Sequence, residues 1–395
     1  MPVSLLRSLR HGAENWPCHS SGYPPAAWRR NYSNFMPVRP EKTSQYQWPH
    51  SSAEQNFRSF TLMTRLSVIL PFYNAANSLQ QALDSIRKQS FTDFECLMVN
   101  NNSCDNSTDI AKNMAETDSR FRLLHENRQG VSYASVHGSS RAKGTYIARM
   151  DADDIAFPER FQLQLDYLEM HPQVAALGGL VHFGGHHKKA AGLHRYVNWN
   201  NSLITAKDIR LRRFIESPVI NPTAMWRRDV EKKAGGYRHG NFPEDYELWL
   251  RWIDQGYHIE KVPETILQWN DPPQRLTRTD DRYSSDAFYE VKTRYLTNEL
   301  QRINPHHPNV YVWGASRLMR RRAEKLLQHG IKIKAWVDIS EKRHLETSLI
   351  HYSHLPAPDN AFVLVYVPQH NIRQEISTYL KSRGFTEGKN YLLVG

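Results

Sequence analysis

Cysteine is scarce, with only Cys18, Cys96 and Cys104 in 395 residues. That number cannot build a disulfide framework, and no Cys-x-x-Cys pair is present to begin a zinc site. A reducing compartment is expected. No apolar run approaches the ~20 residues that a helix needs to cross a bilayer. Arg7 and Arg10 are not followed by an apolar segment, so the N-terminus does not read as a secretory signal. Zinc-finger spacing and RNA-binding aromatic signatures are also missing, although the formal charge is +11 and the pI near 9.4. Nucleic acid is therefore not an expected partner. The charge points instead to phosphorylated substrates or an anionic membrane face. The expected location is cytoplasmic, with peripheral contact at the inner face of the membrane compatible with that charge.

What is present describes an ordinary globular protein, 40% hydrophobic and 23% charged, long enough for two domains. Residues 1–62 hold Pro, Ser, Arg and scattered aromatics without periodicity, and read as a disordered extension. A Ser- and Arg-rich targeting peptide is the alternative. Met63 stands immediately before the first convincing strand, which leaves open whether the preceding stretch belongs to the natural product.

After Met63, strand and helix signals alternate. Leu66 to Phe72, Phe94 to Val99, Phe121 to Leu124 and Tyr146 to Met150 read as strands, with helical spacing between them. Alternation of this kind predicts a mostly parallel sheet, whose ligands sit beyond the carboxyl ends of the strands. The polar runs Tyr73-Asn74, Asn100 to Ser103 and Asp151 to Asp154 all fall at those ends. Three turns thus converge on one rim. Asp-x-Asp after a buried strand suits a diphosphate, because one carboxylate can accept ribose hydroxyls while another holds a bridging divalent cation, Mn²⁺ or Mg²⁺. In the segment Phe242 to Arg251, Asp245 shares neighbouring helical positions with Leu248 and Trp252, so an acidic tip can face the rim above an apolar face. A carboxylate there can take a proton from a hydroxyl. Acidic residues at a helix N-terminus are also favoured by the dipole alone.

Taken in order, LSVILPFYN, FECLMVNNNSCDNST, AKGTYIARMDADD and GGY with EDYELWLRW resemble a family 2 inverting glycosyltransferase of GT-A fold, over roughly Arg65 to Leu300. The resemblance implies an α/β chain: a GT-A nucleotide-sugar-binding domain over residues 63–300, followed by a smaller Rossmann-like α/β domain over residues 308–395. It implies that Asp151 contacts the nucleotide ribose, that Asp153 binds the metal, and that Asp245, beside Glu244, is the catalytic base. Pro71, Tyr73 and Asn74 match the turn that lines the base. The segment Asn270 to Tyr283 resembles one that closes over the donor, where Arg275 and Arg278 would meet the pyrophosphate. Asn100 and Asn101 stand where the family usually carries two aspartates, one of which reads the base and ribose. The resemblance therefore implies donor binding there, and an amide can still bond a pyrimidine edge. Ser135-Val136 stand where it often has Arg-Asn. The implied donor is a nucleotide sugar, a UDP-sugar being favoured. The implied acceptor is a saccharide or lipid-linked hydroxyl, in bacterial surface polysaccharide or glycolipid synthesis.

From Pro308 a second unit begins. Val310 to Trp313 reads as a strand, Gly314-Ala315-Ser316 as a tight turn, Leu318 to Gln328 as a helix, and Ile333 to Val337 as a strand closed by Asp338. Only the first glycine of a dinucleotide fingerprint remains, and a basic helix with Arg317, Arg320, Arg321, Arg322 and Lys325 follows. The histidines His182, His186, His187 and His194 match no zinc spacing and read as a solvated loop with Lys188 and Lys189. Two rival readings stand beside the transferase: a non-catalytic nucleotide-sugar-binding protein, given the Asn-Asn turn, and a fused nicotinamide-dependent oxidoreductase, given the second unit.

Overall fold

A computed structural model of the chain describes residues 64–185, 190–339 and 348–395. The expected extension at 1–62, with Cys18, lies outside the described residues, as do His186, His187, Lys188 and Lys189. From Thr64 on, the described residues pack as one unit. It is built on two sheets.

Strands β1 (Leu66–Phe72), β2 (Phe94–Asn100), β3 (Phe121–His125) and β4 (Tyr146–Arg149) run parallel, in the spatial order β3-β2-β1-β4. Both faces of β1 and β2 are buried, which is why these strands read as unbroken apolar runs. Helices α1 (Leu79–Arg87), α2 (Ser107–Thr117) and α3 (Val131–Arg141) make the crossovers. The sheet then continues with β5 (Ile155–Ala156), β6 (Val174–Phe183), β7 (Met225–Arg227) and β8 (His258–Trp269), added in the order β7-β6-β8-β5. Strand β7 is antiparallel to both β4 and β6, so the sheet is mixed beyond β4.

A long helix, α4 (Ser285–Ile303), leads to the second sheet. Strands β9 (Asn309–Trp313), β10 (Lys332–Asp338), β11 (Leu349–His351), β12 (Val363–Val365) and β13 (Tyr391–Leu393) are all parallel, in the order β11-β10-β9-β12-β13. Helices α5 (Arg317–Ala323) and α6 (His370–Ser382) join them. The expected architecture of a larger α/β sheet followed by a smaller one is what the chain forms. The strand-by-strand expectations hold, including the two after Pro308.

One helix carries the candidate base and belongs to both cores. Helix α7 (Glu244–Asp254) buries Leu248, Trp249 and Trp252 against the first sheet, and Tyr246 and Leu250 against α4 and the second. Trp226, Trp249 and Trp252 meet edge to face, with centroids 5.8–6.3 Å apart. Contacts of this geometry add roughly 0.5–1.5 kcal/mol per pair beyond area burial. The buried Arg251 guanidinium donates to the carbonyls of Gly235 (2.7 Å) and Gly236 (2.6 Å) and pairs with Glu247 at 3.0 Å. The Gly-Gly-Tyr block is thereby tied to the helix that carries Asp245, and Gly235 turns there with φ 82°. Among the described residues, no helix is long and apolar enough to cross a membrane.

Candidate active site

The rim is stitched together by short polar side chains. Asn74, at a left-handed φ of 48°, accepts from the Cys104 amide at 2.9 Å and donates its own amide to Ser103 Oγ at 3.0 Å. The amides of Ala75 and Ala76 donate to Ser107 Oγ (2.8 Å) and Asp105 Oδ2 (3.0 Å). The turns after β1 and β2 are thus one piece. Tyr73 projects from it, 52% exposed. Pro71 does not line the turn, being buried within β1 opposite Val99.

Asn100 and Asn101 have internal duties. The Asn100 amide donates to Thr108 Oγ1 and accepts from the Ser103 amide, each at 2.9 Å. Asn101 is 3% exposed; it donates to the Glu126 and Arg128 carbonyls (2.9 and 2.8 Å) and accepts from the Gly130 amide at 2.7 Å. Two N–H groups and a carbonyl oxygen are what a side-chain amide offers. Asn101 therefore leaves a ligand little beyond one lone pair, and its role is to fasten the loop after β3 to the rim. A carboxylate could not donate to those two carbonyls.

Asp151, Asp153 and Asp154 bring carboxylate oxygens within 4.8 Å of one another, the one such metal-competent cluster among the described residues. Asp154 is buried and accepts from the Asn270 amide at 2.8 Å, while Asn270 Nδ2 donates to the Asp153 carbonyl at 2.7 Å. The start of the Asn270–Tyr283 segment is thereby pinned to the acidic turn. Burial first, then the neighbouring Asp151 charge, pushes Asp153 up to about 6, and Asp154 is raised well above the usual carboxylate range by burial and by both neighbours. Crowded, oxygen-only donors of this kind suit a hard divalent cation such as Mg²⁺ or Mn²⁺.

Arg149, buried at the end of β4, donates Nε to Asp151 at 2.8 Å and Nη1 to Ser135 Oγ. Behind it the fully buried Arg160 donates to the Arg149 carbonyl at 2.7 Å. A polar anchor at Ser135 thus takes the place where the resemblance led one to look for an arginine. Arg275 and Arg278 part company. The Arg275 guanidinium lies 3.8 Å from the Trp269 ring centroid, near enough to the acidic turn to counter the raised values of Asp153 and Asp154. Arg278, itself exposed, pairs at 2.7 Å with the largely buried Asp271 carboxylate and donates to the Pro272 carbonyl at 2.9 Å.

Glu244 and Asp245 open α7, where the helix dipole favours negative charge. Glu244 is buried and accepts from the Tyr283 hydroxyl at 2.6 Å, joining the end of the Asn270–Tyr283 segment to the helix tip. Asp245 stays partly accessible. Burial, then the adjacent Glu244 charge, with a smaller push from Asp151, raises its carboxyl to about 7. A carboxyl so poised can take up and release a proton near neutral pH.

From sequence, Asp154 stands out only as part of the Asp151–Asp154 run and Tyr283 only as the end of the Asn270–Tyr283 segment, while Arg149 and the Asp105 clamp carry no expected role. Arg149 leaves a trace as a charge inside an otherwise apolar strand. In the second unit, Asp338 accepts from the Ala315 amide at 3.0 Å, so its carboxylate is engaged in securing the Gly314 turn.

Comparison with known proteins adds an independent line. Residues 67–235 match the family described as glycosyl transferase family 2. The amylovoran biosynthesis glycosyltransferase AmsE of Erwinia amylovora is 30% identical over 206 residues, 51% of this chain and 74% of that protein. The O-antigen biosynthesis glycosyltransferase WbnJ of Escherichia coli is 27% identical over 61% of this chain and 95% of its own length. The uncharacterized glycosyltransferase EpsJ of Bacillus subtilis is 32% identical over 59% of this chain and 70% of its own. Among solved structures, Staphylococcus aureus TarS in complex with UDP-GlcNAc superposes with a TM-score of 0.49 at 17% identity, covering 67% of this chain and 71% of that one. From its sequence relatives, the chain belongs to the family 2 glycosyltransferases.

Proposed function

We propose that the chain transfers a sugar from a nucleotide-sugar donor to an acceptor hydroxyl by direct displacement, with inversion at the anomeric carbon. The observation that carries the reading is Asp245: a partly accessible carboxyl raised to about 7, at a helix tip close enough to the Asp151–Asp154 turn to feel its charge. Asp245 takes the hydroxyl proton as that oxygen bonds the anomeric carbon and the bond to the donor phosphate breaks. Asp153, with Asp151 and Asp154 beside it, would hold a divalent cation, which when bound neutralises charge on the departing diphosphate. Arg275, steadied on Trp269, reaches toward the same phosphates. Tyr73 and the stitched Asn74 turn offer a wall and edge for the nucleoside, a UDP-sugar being the favoured donor. The AmsE and WbnJ names support surface polysaccharide synthesis as the setting.

Asp245→Asn is the test. Turnover should fall by about a thousandfold or more while donor binding measured by calorimetry with Mn²⁺ is kept. Substantial transfer by this variant would remove Asp245 from the base role.

A further inference from the structure

We propose that the region where helix α4 meets the second sheet binds a phosphate or diphosphate group of the acceptor, held by Lys292 and Arg322 at the Tyr289 ring together with Arg373. Lys292 Nζ lies 4.0 Å and Arg322 Cζ 4.4 Å from the centroid of that ring, and Arg322 also donates to the Tyr289 hydroxyl at 3.3 Å. Lys292 donates to the carbonyls of Ile215 (3.1 Å) and Val394 (3.0 Å), and Arg373 to those of Pro368 (3.3 Å) and Gly395. Neighbouring basic residues have carboxylate partners, Arg321 with Asp286 and Lys325 with Glu290. Among the described residues, no Asp or Glu lies within ion-pair distance of Lys292, Arg322 or Arg373. One carboxylate, the exposed Glu216, feels all three. Burial lowers Lys292 to about 7, so the case rests on donors rather than on net charge: one Lys292 N–H and the Nε and Nη2 groups of both arginines are left over. Guanidinium groups match phosphate oxygens in pairs.

The position in the fold supports the assignment. In the order β11-β10-β9-β12-β13, the chain leaves β9 in one direction and β12 in the other, so their carboxyl ends open a crevice of the kind that holds ligands in parallel sheets. Tyr366 follows β12 directly, stacks on Tyr289 at 6.3 Å, and is wholly buried with its hydroxyl unpartnered. The crevice lies next to the candidate base. Tyr246, the residue after Asp245, packs on Phe288 at 5.4 Å, and the Tyr196 phenol feels both Glu216 and Asp245. An acceptor anchored here by phosphate would present its sugar toward Asp245. As an acceptor site this rests on the transfer reading above; as an anion site it does not.

The test titrates the full chain with sodium pyrophosphate in EDTA, followed by tryptophan fluorescence. Expected are saturable binding without metal, no competition from UDP, and no change in Asp153→Ala. Arg322→Ala should weaken binding by about tenfold or more, the loss of a charge-assisted contact, and Arg322→Lys should restore most of it. Arg322→Gln, which keeps a donor for the Tyr289 hydroxyl, serves if the alanine variant does not fold. Absence of metal-independent binding, displacement by UDP, or undiminished affinity in the Arg322 variants overturns the proposal. Donor hydrolysis in Mn²⁺, measured separately, reports on the transfer reading, so the two fail apart.

Discussion

Asp245→Asn should stabilise the protein at alkaline pH while it disables transfer. The carboxyl titrates near 3.8 in the unfolded chain and at about 7 in the folded one, so folding tightens its proton. The resulting cost to stability is absent below the unfolded value, grows through the interval, and is complete only above about pH 7. Each unit corresponds to ~1.4 kcal/mol, which sets a ceiling of about 4 kcal/mol. Asp245 is partly open to water, and solvent screening reduces the expectation to about 2 kcal/mol. Asparagine keeps the shape and can still accept from the Tyr246 amide, which the native Oδ1 does at 2.7 Å. For a body of this size the gain corresponds to roughly 3 °C in Tm. Thermal melts in EDTA at pH 8 and pH 4.5 measure it: the variant should melt higher than wild type at pH 8 and nearly level with it at pH 4.5. A variant no more stable at pH 8, or equally shifted at both values, would refute the reasoning.

The same ionisation should shape kinetics, with kcat/KM falling about tenfold per pH unit below an apparent value near 7; a profile flat from pH 5.5 to 8 would contradict it. Arg275→Ala should weaken donor binding by about tenfold or more, whereas Arg278→Ala, which breaks the pair with Asp271 and the bond to the Pro272 carbonyl, should change it by about twofold or less; calorimetry in Mn²⁺ separates them. Asn101→Asp, although it installs the residue usual in the family, should cost about 2–4 kcal/mol, because the carbonyls of Glu126 and Arg128 lose their donors and face a charge; a denaturant melt reads the loss. Asp153→Ala should abolish the Mn²⁺-dependent part of donor affinity, measured with and without EDTA.

Much of this was legible because it is local. The unbroken apolar runs of β1 and β2 gave away strands buried on both faces, and the polar residues just past them marked the rim. What stayed hidden is what depends on partners far away in the chain. Asn101 looks like a base-reading amide until its bonds to residues 25 to 29 positions later are seen. Arg275 and Arg278 are three apart on one basic stretch, and only the position of Trp269 separates a phosphate candidate from the partner of Asp271. The antiparallel β7 also escaped, since a three-residue strand carries no periodicity.

The clamp between the first three strand ends has a consequence for engineering. Asn74 depends on Ser103 and Cys104, Ala75 and Ala76 on Ser107 and Asp105, and Asn101 on the loop from Glu126 to Gly130. A donor preference borrowed from a relative would therefore not travel with a single loop. Residues 73–76, 100–108 and 126–130 form one exchangeable cassette, and chimeras that split it should lose folding before they change their choice of nucleotide.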